Sequence, residues 1–301
     1  MHTILLQSTR FYQPLFMALL PLLFSFSILY PEFAAPLKID FPFVNEAIDV
    51  VIPCTKKDLA TLELCIAGIK ENCHEIRRII VVSKEPLTSN AEWYDENLYP
   101  FSMHEVACEL LGSTIGGTKY VANRINRLGW IYQQLLKLYA QRIIPGISSN
   151  VLILDSDTIF LNPITFIVET GAALFDISCE YHLPDFAHAE RLLPYLHRVF
   201  PSFSGICNHM LMQKCVVDDL HQAVETRHNL PFWRAFLRCV KKSELFGSGA
   251  SEYEIYFNYA HIRSDQFKIR ELRSRNISKL SEIAHFKSCG YHYVCAHAYL
   301  R

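Results

Sequence analysis

Glycine is scarce in this sequence, 11 in 301 residues, and no stretch has the Gly-rich, lysine-bearing spacing of a phosphate loop. Gly112 to Gly117 holds three glycines, but without that pattern, and reads as a flexible connection. Neither sign of charge is in excess: 29 Lys and Arg stand against 30 Asp and Glu, for a formal net charge of −1. A broad polyanion-binding surface is therefore excluded, and nucleic acid with it, although a local basic cluster for a diphosphate is not. No CxxC pair occurs among the ten cysteines, and no HExxH, which disfavours a zinc ribbon, a thioredoxin-like motif and a zinc hydrolase. Long polar tracts and internal repeats are absent too. With 20 Phe and 15 Tyr, the composition is that of a chain with a sizeable core. A chain of this length needs no disulfide staples, so reduced, buried thiols are expected, and they favour a reducing compartment.

Leu15 to Tyr30 is a charge-free run preceded by Arg10 and interrupted by Pro21. Extended by Phe11 to Pro14 it approaches the roughly 20 residues that span a bilayer. Three readings stand: a signal peptide cleaved near Ala34-Ala35, a single anchor, or a hydrophobic lead-in packed on the domain. Membrane association through residues 11–30 is the expectation. The chain then divides into a hydrophobic segment, 1–40, and one domain, 45–301. Positive charge ahead of the run would leave the domain outside, which conflicts with reduced thiols.

Ile48 to Pro53 reads as a buried strand stopped by proline, Leu59 to Asn72 as a helix with Leu62, Ile66 and Ile69 on one face, and Arg78 to Val82 as a second buried strand. Strand, helix and strand in that order make a βαβ unit, hence a parallel sheet. Continuous rather than alternating apolar runs put cover on both sheet faces. Residues 87–118 read as loop with a helical piece from His104 to Leu111. A helix follows from Leu128 to Gln141, then the buried strand Val151 to Leu154, which runs directly into Asp155-Ser156-Asp157. Later segments are less regular: helices over Leu183–Phe200, Val216–Arg227, Phe232–Lys242 and Ser251–Ala260, with a strand over Cys207–Gln213. The fold class expected is α/β, a mostly parallel central sheet flanked by helices, Rossmann-like in the N-terminal half and mixed in the C-terminal half.

Asp155 and Asp157 stand one residue apart just past the carboxyl end of a strand, where open α/β sheets bind ligands. Two carboxylates there repel unless a cation offsets them, and Mg²⁺ or Mn²⁺ takes oxygen ligands and bridges to substrate phosphates. The bland alternative is turn chemistry, which Asp and Ser also supply. Trp130, Gln133, Gln134 and Lys137 share a helix face other than that of the core stripe Ile131, Leu135 and Leu138. An aromatic, two amides and a cation on one stripe suit a nucleotide diphosphate or a sugar; a solvated face with one buried Trp fits equally. Glu252 shares an inward face with Ile255, Tyr256 and Tyr259, as either a general base or a carboxylate favouring the helix dipole. Glu254 falls on the opposite side. His209 lies on the later strand and is taken as a binding candidate. His285, His292 and His297 cluster near the C-terminus, where a histidine would complete a metal shell.

DVVIPCTKKD, RRIIVVS, GWIYQQLLKLYA, VLILDSDTIFL and SEYEIYFNYA, in that order, resemble a GT-A-fold glycosyltransferase. The likeness is nearest to a group of uncharacterised bacterial proteins of that type, and it spans residues 48–260. It implies that Pro53, Thr55 and Lys56 hold the nucleobase and ribose. It also implies that Asp157 ligates Mn²⁺ or Mg²⁺, that Asp155 contacts metal or ribose, and that Glu252 is the base of an inverting reaction. No motif chooses among the late histidines; His297 is taken as the metal ligand. Lys137 would assist the diphosphate. The implied partners are a nucleotide-sugar donor and a glycan or lipid-linked acceptor, at the cytoplasmic face if the chain is bacterial. A nucleotidyltransferase is disfavoured because the loop Pro53 to Asp58 lacks glycine. A non-catalytic scaffold of the same fold is the remaining rival, disfavoured by Asp155, Asp157 and Glu252.

Overall fold

The computed structural model describes residues 36–123, 127–297 and 300, so the apolar run 11–30 lies outside the described residues. The chain divides into units 1–36 and 37–301, and every described strand and helix belongs to the second. Among the described residues no helix is long and apolar enough to cross a membrane.

Strand β1 (Ile48–Pro53) is buried at every position. Helix α1 (Leu59–Asn72) returns the chain to β2 (Ile76–Ser83), which pairs with β1 in parallel, Val50 beside Ile79. Beyond β2 lies the short β3 (Glu92–Asp95), also parallel. Two helices follow, α2 (Met103–Leu111) and α3 (Thr114–Ala122). The glycines of α3 do not make a flexible connection. Ser113 caps the helix on the backbone N–H of Gly116, and a Cβ at Gly117 would stand 2.7 Å from the Cys108 backbone nitrogen, so this glycine lets α3 lie against α2.

Helix α4 (Leu128–Ile143) leads to β4 (Asn150–Leu154), parallel to β1 with Val50 beside Leu152. After Asp155-Ser156-Asp157 come β5 (Thr158–Phe160) and β6 (Leu174–Asp176). Helix α5 (Leu183–Leu192) stops well short of Phe200 because Pro194 cannot continue it. Strand β7 (His209–Gln213) closes the sheet antiparallel to β4. The order β3-β2-β1-β4-β7 is thus parallel except at its last strand, as the α/β reading expects. Strand order reverses between β1 and β4, and a crevice opens at their carboxyl ends.

Helices α6 (Lys214–His228) and α7 (Phe232–Arg238) pack against one another, with α6 also against α4. Helix α8 (Glu252–Arg263), capped by Ser251, is buried at every residue from Glu252 to Ala260. It therefore has no solvated side, and Glu254, read from periodicity as facing away, is as buried as Glu252. Strand β8 (Lys268–Arg270) pairs with β6. Strand β9 (Ser274–Asn276), helix α9 (Ile283–Ser288) and strand β10 (Tyr293–Cys295) complete the chain, with β10 between β5 and β9. All ten cysteines are free thiols.

Candidate active site

The geometry of Asp155-Ser156-Asp157 follows from its two flanking strands. Strand β4 ends beside β7, where Asn208, in the left-handed region at φ 58°, turns its carbonyl to accept from the Asp155 N–H at 3.0 Å. The Thr158 N–H donates to the Asp155 carbonyl at 3.0 Å, closing a tight turn. Strand β5 then runs antiparallel to β10, and the Ala296 N–H donates to the Asp157 carbonyl at 2.9 Å. That pairing carries the C-terminal chain past the turn and brings His297 to Asp157, with Nδ1 donating to Oδ2 at 3.1 Å. No sequence motif distinguished His297 from His285 and His292; strand register does. His292 instead accepts from the Arg273 N–H, and His285 lies beside Cys289 on α9.

Burial alone would lower the His297 pKa, but its hydrogen bond to Asp157 and the charges of Asp157 and Asp155 outweigh that and raise it. The other Asp157 oxygen, Oδ1, is buried and has no hydrogen-bond partner. Among the described residues no group of three His, Cys, Asp or Glu side chains is arranged to hold a metal ion. Asp157 and His297 still fit one, since Mg²⁺ and Mn²⁺ are commonly held by one or two carboxylates with the remaining positions left to water and phosphate. An orphaned carboxylate oxygen beside an imidazole is the donor set such an ion takes.

Asp155 is engaged differently. Lys137, from α4 and 3% exposed, donates to Asp155 Oδ1 at 2.6 Å, to Glu252 Oε1 at 2.5 Å and to the Tyr253 hydroxyl at 3.1 Å. One buried ammonium thus ties the end of β4 to the start of α8. Burial would lower the Lys137 pKa, but Asp155 and Glu252 more than reverse it, so the cation stays charged. Asp155 is pushed up by burial and by Glu252 and Asp157, beyond what Lys137 draws down. Lys137 is therefore committed to carboxylates and not free to meet a diphosphate, and Glu252 is held in an ion pair rather than poised as a free base.

Beside this network lies a cleft of ≈ 610 Å³ at the carboxyl ends of β1 and β2. Pro53, Thr55, Lys56, Trp130 and Gln133 all line it. Gln133 Nε2 bridges from the cleft wall to Pro53 O at 3.4 Å and Asp155 Oδ1 at 3.3 Å. Arg127 stacks over Trp130 at 4.9 Å and donates to Ser248 Oγ at 3.2 Å, tying the glycine-bearing loop after α7 to the rim. Two expected members do not belong. Gln134 points into the packed interior, 1% exposed, with no partner for either amide atom. His209 is a core residue, 4% exposed among Phe160, Phe166 and Tyr293, with burial lowering its pKa.

Sequence reasoning missed Asp185 and Glu96. Asp185, in the first turn of α5, is 3% exposed with Oδ1 unpartnered, and burial together with Glu254 and Glu252 pushes it up to about 8. Glu254 differs in being satisfied, by Ser204 Oγ and by Asn258 Nδ2 at 2.8 Å. Neither Asp185 nor Glu96 sits in a motif, and only the packing reveals their burial.

The sheet order, with an acidic pair at its switch point beside the cleft, places the chain in the α/β class. Within it, the chain belongs to a family of unknown function, DUF6492, whose model matches residues 46–288. The match includes Asp155, Asp157 and Glu252 and ends before His297. No curated protein matches the sequence. Solved structures similar in chain path include mouse xyloside xylosyltransferase 1 in its apo form, at 9% identity and a TM-score of 0.40 over 86% of this chain and 99% of that one. The apo bifunctional glycosyltransferase WbbM is similar at 12% identity and a TM-score of 0.40, over 87% of this chain and 47% of that one.

Proposed function

We propose that this protein is a metal-dependent glycosyltransferase that moves a sugar from a nucleotide-sugar donor to a hydroxyl of a glycan or lipid-linked acceptor. The observation that carries the reading is Asp157, with its buried unpartnered Oδ1, held beside His297 and next to Ser156 of the cleft wall. Asp157 and His297 would hold Mn²⁺ or Mg²⁺, and such an ion, when bound, supplies positive charge to the leaving diphosphate.

The chain's own residues do the positioning. The cleft along Pro53, Thr55 and Trp130 receives the nucleoside, with Lys56 and Arg127 at its rim to meet phosphate charge. Lys137 fixes Asp155 against Glu252, which makes Glu252 a positioning residue rather than the base that the resemblance implies. The rival of a binding scaffold would bind donor and metal without turnover. Titration of Mn²⁺ followed by electron paramagnetic resonance tests the metal half of the reading. Wild type should bind near one equivalent, and Asp157→Ala and His297→Ala should each weaken binding at least about tenfold. Unchanged binding in both variants would remove Asp157 and His297 as ligands.

A further inference from the structure

Glu96, the residue after β3, lines the cleft and is 6% exposed. The other acidic side chains of the wall are occupied: Asp58 accepts from Thr55 Oγ1 at 3.2 Å, and Glu85 meets Lys56 at 3.5 Å. Among the described residues the Glu96 carboxylate finds no hydrogen-bond donor and no ion-pair partner. Burial raises its pKa, with Lys84 drawing it back in part. The residue is buried but its carboxylate oxygens open to the cleft, so they are available to donors on a ligand bound there.

From that placement we infer that the donor carries guanine, and that Glu96 reads the base by accepting from its N1–H and 2-amino group. The inference rests on the nucleotide-sugar reading of the same cleft and specifies its donor class. A carboxylate offers two acceptors and no donor. Guanine alone among the common bases presents two adjacent donors on its pairing edge. Uracil presents one N–H between two carbonyls, and adenine and cytosine each set an amino group beside an acceptor nitrogen. Either arrangement leaves one carboxylate oxygen facing another acceptor. The same cleft is lined by Leu87, Met103 and Tyr132, which suit a purine face. Distance agrees as well. Strand β3 is three strand spacings from β4, roughly 14 Å, comparable to the reach of an extended nucleoside diphosphate from base to terminal phosphate. The base then sits at Glu96 and the diphosphate at Asp157.

Calorimetric titration of the full chain with GDP, IDP, UDP, CDP and ADP, each with Mn²⁺, tests this. GDP should bind at least about tenfold tighter than UDP, CDP or ADP, and IDP, which lacks the 2-amino group, should fall about tenfold below GDP. Glu96→Gln should cost GDP about tenfold or more, leave the melting temperature at or above that of wild type, and favour XDP over GDP, since an amide donor can meet the xanthine 2-oxo group. Tighter binding of UDP than GDP, or equal losses of both in Glu96→Gln, overturns the guanine assignment and leaves the glycosyltransferase reading standing. Binding of no nucleoside diphosphate overturns both.

Discussion

Replacing Lys137 by methionine keeps the side-chain volume and removes the one ammonium between Asp155 and Glu252. In the wild type its Nζ lies 2.6 Å from Asp155 and 2.5 Å from Glu252, with all but 2% of the lysine side chain removed from solvent. Without the cation, two carboxylates face each other in a poorly hydrated site. Removing one partner of a buried ion pair costs about 3–5 kcal/mol, because the charge left behind is uncompensated. For a domain of this size that corresponds to a fall in melting temperature of roughly 6–20 °C. The loss should depend on pH with a definite sign. In the variant at least one carboxyl has its folded pKa raised above the unfolded value, so its contribution is fully present in acid and is lost as pH rises. The deficit against wild type should therefore be larger at pH 8 than at pH 5, in denaturant titrations followed by circular dichroism. Adding Glu252→Gln to Lys137→Met should return about 1–3 kcal/mol, as coupling between contacting groups. A deficit below about 1 kcal/mol, or one that does not change with pH, would refute the reading of these residues as one charge network.

Asp185 titrates far above an ordinary carboxyl, up to about 8, so it takes up a proton on folding. Its stabilising contribution is full below the unfolded carboxyl pKa and is lost as pH rises through 8; Asp185→Asn should gain on wild type in melting temperature between pH 5 and pH 8. Gly68, on α1, would carry a Cβ 2.6 Å from the Phe160 carbonyl oxygen of β5. Gly68→Ala should cost about 1–3 kcal/mol in urea unfolding and should also weaken Mn²⁺ binding, because β5 holds the Asp157 turn. His209→Phe, in a core ringed by aromatics, should leave nucleotide and Mn²⁺ affinity within about twofold of wild type by calorimetry; a larger loss would return His209 to the site.

The first half of the fold was legible because its strands are uninterrupted apolar runs and its first helix has a single apolar face. Ile48 to Pro53 ends at its proline, and Leu59 to Asn72 spans the helix marked by its apolar face. The same local logic located Asp155 and Asp157, since Leu154 is the last buried residue of its strand. It failed where tertiary packing overrides pattern. Gly116 and Gly117 read as a loop but lie on a helix, where Gly117 serves a close helix–helix approach. Glu254 read as solvent-facing because a periodicity argument assumes that one face is exposed, and α8 has none. His209 and Gln134 lay on elements correctly identified but with the wrong neighbours, which only the sheet order and helix packing reveal. The pairing of His297 with Asp157 was illegible for a similar reason, because it depends on the antiparallel register of β5 and β10.

The most direct test of sugar transfer is release of nucleoside diphosphate from a panel of sugar nucleotides with Mn²⁺ and an acceptor mixture, comparing wild type with Asp157→Ala. Wild type should turn over at least one donor and lose that activity on chelation, and Asp157→Ala should fall by at least about a hundredfold with the fold intact. Turnover that persists unchanged in Asp157→Ala would contradict the site, and equal inactivity of both proteins across the whole panel would contradict the enzyme.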